Sequence, residues 1–133
     1  LEPKWNSTDW AFLEGNGEFS IDFESSNGFS FFYGLIDTVI EAKFYHGTVD
    51  ITEDVMNTAG TQIAWSRDSG IPAEDNSWSP VFVDGQKNKV HLISSDMGSE
   101  WLNARSVTFL VEAIIPLGEE NYLRESEELS FNL

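Results

Sequence analysis

The segment SVTFLVEAII, residues 106–115, constrains the fold more than any other stretch of the chain. Val107, Phe109, Val111, Ala113 and Ile115 fall on one parity, and Pro116 and Gly118 follow as its expected end. A period of two in β-branched and aromatic residues specifies a strand with one face buried.

Other segments repeat the pattern. GEFSIDFE (17–24) alternates Phe19, Ile21 and Phe23 with Ser20, Asp22 and Glu24. Ser25 to Gly28 reads as a turn, because Asn-Gly tolerates positive φ, and FSFFY (29–33) would complete a hairpin. A strand over 39–46 turns Ile40, Ala42 and Phe44 inward, and GTVDIT (47–52) would bury Val49 and Ile51. EDVMNTAG (53–60) reads as a loop with at most one helical turn, TQIAWS (61–66) as a strand and RDSG (67–70) as a turn. VFV (81–83), Asp84-Gly85 and KVHLIS (89–94) suggest a second hairpin with a longer loop. GEENYLRESEE (118–128) reads as a charged connector or short helix, and ELSFNL (128–133) as a terminal strand.

Short strands, Gly and Asn turns and little helical periodicity predict an all-β domain. A two-sheet antiparallel β-sandwich is expected, of jelly-roll type first and immunoglobulin-like type as the competitor. The length of 133 residues fits a single domain spanning 1–133, and the first residue, Leu1, suggests a domain excised from a larger secreted protein. No apolar run reaches the length of a membrane span, and no leader segment is evident.

Charge and composition exclude several functions. The net charge is −16, from 23 acids against 7 basic residues. Nucleic acid and anionic membranes need a positive footprint, so neither is an expected partner. The absence of cysteine removes disulfides, thiolate chemistry and Cys-based zinc sites. His46 and His91 stand in no metal-binding or catalytic pattern, and no nucleophile elbow or phosphate-binding glycine loop is present. The expectation is a protein that is not an enzyme and carries no cofactor. A structural calcium is the one alternative, at Asp50, Glu53 and Asp54 or at Glu74, Asp75 and Asn76. Asn6-Ser7-Thr8 matches the glycosylation sequon.

The tryptophans point to a ligand. Trp65 shares the parity of Ile63, which favours the core, and Trp10 pairs with Phe12 in the same sense. Trp5 would pack over an open end of the sandwich. Trp78 and Trp101 stand among acids and turn formers, with Arg67, Asp68, Asp75 and Asn76 near the first and Glu100, Asn103 and Arg105 near the second. An indole face covers the C–H side of a sugar ring, and nearby amides, carboxylates and guanidinium groups take its hydroxyls. The candidate ligand-binding residues are therefore Trp78, Trp101, Trp65, Arg67, Asp68, Asn76 and Asn103.

In size, strand content, lack of cysteine, acidity and spare tryptophans, the chain is similar to the β-sandwich carbohydrate-binding modules of bacterial polysaccharide-degrading enzymes. That resemblance implies a non-catalytic, secreted or cell-surface module, monomeric within a multidomain chain, binding a neutral polysaccharide or oligosaccharide. Fibronectin-like spacers and adhesin domains share most of these features. They carry the alternative, a structural or adhesive protein-interaction domain of a cell surface, appendage or virus. A second alternative is an acidic inhibitor or mimic.

Overall fold

Two antiparallel sheets build the molecule, and the chain passes between them repeatedly. The computed structural model describes residues 18–32, 35–104 and 106–132. The expectations for Trp5, Trp10, Arg105 and the sequon at Asn6 fall outside these residues. The strands are β1 (Phe19–Ser25), β2 (Asp37–His46), β3 (Val49–Asp50), β4 (Gln62–Asp68), β5 (Val81–Val83), β6 (Gln86–Ile93), β7 (Ser106–Gly118) and β8 (Asn121–Asn132). Among the described residues three short helices interrupt them, α1 (Thr52–Asn57), α2 (Pro72–Asp75) and α3 (Trp101–Ala104), and a 3₁₀ turn covers Ser94–Met97. One sheet runs β1-β2-β6-β5 with β3 attached to β2, and the other runs β4-β7-β8. The fold is thus an all-β two-sheet sandwich. The strand order assigns neither jelly-roll nor immunoglobulin connectivity.

Alternation explains the core. Ile40, Ala42 and Phe44 of β2 and Val90 and Leu92 of β6 face Ile63 and Trp65 of β4, Phe131 of β8 and the buried row of β7. That row is Val107, Phe109, Val111, Ala113 and Ile115, the parity read from the sequence. Phe109 and Phe131 meet edge to face at 6.0 Å, the geometry favoured by ring quadrupoles.

Three elements of the chain differ most from the sequence reading. Residues 29–32 form no strand; β1 pairs instead with β2, from Phe19 opposite His46 to Ser25 opposite Ile40. Polar side chains tie the turn to β2. The Asn27 side-chain amide donates to the Asp37 carbonyl at 2.7 Å, and the Asn27 N–H donates to Thr38 Oγ1 at 3.0 Å. FSFFY lacks alternation, and Phe31 serves as a plug 6.0 Å from Phe131. Val49 is exposed, because β3 ends after two residues and the chain bends into α1, leaving only Ile51 buried.

The third difference is the largest. The acidic stretch read as a connector lies in β8, paired with β7 from Gly118 opposite Asn121 to Ser106 opposite Asn132. Glu119 and Glu120 form the turn with φ of 52° and 67°, both in the left-handed region, as a two-residue primed turn demands. Pro116 does not end β7; it stands opposite Tyr122. Acids have low strand propensity, which hid this edge strand, but they also deter sheet-to-sheet association at an exposed edge. No helix among the described residues is long and apolar enough to cross a membrane.

Candidate functional site

The loop residues chosen from the sequence form an internal clasp at the end of the sandwich where β4, β6 and β7 meet their loops. Arg67 Nε donates to Asp75 Oδ1 at 2.7 Å, and the two side chains are only 5% and 10% exposed. The other arm of Arg67, Nη1, donates to the Asp96 carbonyl at 2.9 Å. Ser69 completes the carboxylate shell, its N–H reaching Asp75 Oδ2 at 3.0 Å and its hydroxyl Oδ1 at 2.7 Å. Burial pushes the Asp75 carboxyl up, but Ser69 and the Arg67 guanidinium outweigh it and hold the group below the usual carboxylate range.

The tryptophans belong to the same clasp. Trp78 is half-buried, with its ring 5.3 Å from Phe109 and its indole N–H donating to Asp96 Oδ1 at 3.0 Å. Trp101 is 6% exposed and Trp65 is 8% exposed. Trp65, also a ligand candidate, is the β4 core residue that its parity with Ile63 implied, and the stacking platform expected at Trp101 is a core side chain too. The polar sequence around Trp101 is a short helix and turns, and its indole is buried. Arg67 is likewise spent on Asp75. Asp68, Asn76 and Asn103 are exposed, but Asp68 Oδ1 accepts the Gly70 N–H at 3.0 Å and the Asn103 amide donates to Glu100 at 2.9 Å. Of the seven candidates, Arg67 and Trp78 are brought together, both on Asp96; the Arg67 side chain is almost wholly covered and Trp78 is half-buried.

Gly98 lets the clasp close. Its φ is 89°, and a Cβ there would lie 2.9 Å from the Ser69 Cβ. Gly98→Ala is expected to cost about 1–3 kcal/mol, from strain and from displacing Ser69. Chemical denaturation of the variant checks this.

A second site opens at the opposite end. Strands β2 and β6 pair only from Asp37 opposite Ile93 to Glu41 opposite Lys89. Beyond that point they part, and a cleft of about 680 Å³ lies among Lys43, Asp50, α1 and the tip of the β5–β6 hairpin. The parted backbone is held by side chains. Asn88 Nδ2 donates to the Ala42 carbonyl at 3.2 Å, and the Phe44 N–H donates to Thr52 Oγ1 at 2.9 Å. Trp65 braces the far wall, its indole N–H donating to the Lys87 carbonyl at 2.8 Å. The hairpin turns on Asp84 and Gly85, with φ of 56° and 71°, so β6 starts at Gln86 without the longer loop expected.

The chemistry of this cleft is polar. Carboxylates of Glu41, Asp50, Glu53 and Asp54, hydroxyls of Thr52 and Thr61, and amides of Asn57, Gln86 and Asn88 line it, with Met56 and Ile63 as its apolar patches. Thr52 grips Asp50 by hydroxyl and backbone N–H at 2.6 and 2.9 Å and, with help from Lys43, lowers its pKa. Lys43 bridges Asp50 at 3.3 Å and Glu24 at 3.6 Å, and its pKa is raised chiefly by the hydrogen bond to Asp50. Asn88 is 1% exposed, and its Oδ1 accepts no hydrogen bond. A buried orphan acceptor costs about 1–3 kcal/mol and calls for a donor.

Asp50, Glu53 and Asp54 all line the cleft, yet no three acidic or histidine side chains converge on a metal position among the described residues. Asp50 is occupied by Thr52 and Lys43, and Glu53 points to solvent, so the expected calcium cage is not assembled. Asn88 carries a signal in the sequence: it is the polar residue sharing the inward parity of Val90 and Leu92. The fold and cleft define a small β-sandwich with a polar groove at one end. Comparison with family models, curated proteins and solved structures finds no match.

Proposed function

We propose that the protein is a non-catalytic glycan-binding β-sandwich whose site is the cleft between β2, β6 and α1. The observation that carries the reading is the orphan Asn88 Oδ1 in a cleft dense with oxygen acceptors and amides. A sugar supplies many hydroxyl donors over a small volume. Each ionised carboxylate accepts several of them, and each side-chain amide donates and accepts at once. Met56 and Ile63 offer the small apolar contact that sugar C–H groups need. A neutral polymer is not repelled by the −16 charge. A secreted or cell-surface location belongs to the same reading.

A screen of neutral polysaccharides by affinity electrophoresis tests it. The wild type is expected to be retarded by at least one polymer. Asn88→Ala should weaken binding roughly tenfold, as loss of a buried hydrogen bond does, with a modest drop in stability because Ala42 loses its partner. Glu53→Ala, exposed at the rim, should weaken binding with stability unchanged. Retardation by no polymer, or wild-type retardation in both variants, overturns the assignment.

One observation favours the alternative of a protein-interaction domain. Val81 and Ile93 are exposed on the outer face of the larger sheet, and Leu35 is exposed just before β2. Exposed apolar groups of this kind mark protein contacts. A blank polysaccharide screen would move attention to that face.

A further inference from the structure

We infer that the site is a trough that takes the interior of a linear polysaccharide chain, not a pocket for one sugar unit or a chain end. This rests on the glycan-binding reading. The cleft adjoins, through shared lining residues, a chain of two further depressions that extends over the smaller sheet. The first, of about 440 Å³, shares Thr61, Ile63 and Lys87 with it. The second, of about 130 Å³, shares Glu112, Ile114 and Arg124 with the first.

Strand register accounts for the path. Gln62, Ile114 and Arg124 are direct neighbours across β4, β7 and β8. Strands lie about 4.8 Å apart, so this row alone prolongs the site by about 10 Å. Ala64 stands beside Glu112 in the next row and leaves the floor low, since it carries only a methyl group. Half-buried Ile114 provides an apolar floor for sugar C–H faces, and its flanks are charged.

The flanks carry cations as well as acids. Lys43 and Arg67 are held by carboxylates, whereas Lys87, Lys89 and Arg124 make no ion pair among the described residues. Lys87 and Arg124 both line the first depression, and neither makes a side-chain hydrogen bond or ion pair among the described residues. Their donors remain for hydroxyl and ring oxygens. A polymer crossing from Asn88 past Lys87 to Arg124 would meet acceptors first and donors afterwards, which suits a chain of units with both.

Calorimetric titration with graded cello-, xylo-, manno- and laminari-oligosaccharides, disaccharide to octasaccharide, tests the trough. Affinity is expected to climb with length and then level off, the hexasaccharide binding at least tenfold tighter than the disaccharide. Arg124→Ala combined with Glu112→Ala, both exposed, should remove most of that gain and leave disaccharide affinity unchanged. Affinity independent of length, with Asn88→Ala still weakening it, overturns the trough and keeps the glycan reading. A gain with length that the double variant retains also overturns this path. Binding of no oligosaccharide in any series removes the glycan reading and the trough together.

Discussion

Asp75→Ala is expected to lower the free energy of unfolding by about 3–5 kcal/mol, the range for breaking a buried ion pair by removing one partner. The reason is what remains. Arg67 is 5% exposed, and without Asp75 its guanidinium keeps only the Asp96 carbonyl as a partner. Ser69 is buried and loses the acceptor for both its N–H and its hydroxyl. For a chain of this size the midpoint of thermal unfolding should fall by roughly 10–20 °C. Arg67→Met with Asp75→Leu should recover much of the loss, since replacing both charges by apolar groups is often neutral. A single variant within about 1 kcal/mol of wild type would show that the clasp does not hold these loops.

Acid should act on the same contact. Asp75 has its pKa lowered in the fold, and so does Asp50. A depressed carboxyl stabilises the fold above its unfolded pKa of about 3.9 and loses that contribution as pH falls through the lower folded value. Wild-type stability should therefore decline below about pH 4, and Asp75→Ala should show a shallower decline, because one of the linked protons is gone. Urea unfolding at a series of pH values measures both slopes.

The alternating strands were legible in the sequence because their physics is local. The parity of 106–115 and of 39–46 is also the parity of the core. Pairing partners were not legible. Whether FSFFY returns on β1 depends on hydrogen bonds between Ser26, Asn27 and Thr38, eleven or more positions apart. The acids of β8 hid a strand, since their cost at an edge is offset by a full ladder to β7. The cleft was the least legible feature. It exists because β2 and β6 diverge after Glu41 and Lys89, and divergence is a property of two strands and not of either. Asn88 at an inward strand position was its one trace, and Asp50, Glu53 and Asp54, considered for calcium, line the same cleft.

Trp101→Ala is expected to cost about 3–5 kcal/mol, as for other buried large aromatics cut to alanine. Trp101 is 6% exposed and opens α3 directly before β7, so the cavity would lie by the open end of the longest hairpin, away from its turn. Trp78→Ala should cost less, about 1–3 kcal/mol, through loss of the Phe109 ring contact and the Asp96 hydrogen bond. Glycan retardation of folded Trp78→Ala should match wild type, because the cleft lies at the other end of the sandwich. Thermal unfolding followed by near-ultraviolet circular dichroism, with affinity electrophoresis on the same samples, separates the roles. A Trp78→Ala protein of unchanged midpoint that no longer binds glycan would return the site to the indole and away from Asn88. A Trp101→Ala protein as stable as wild type would mean that this ring is not needed to close the core.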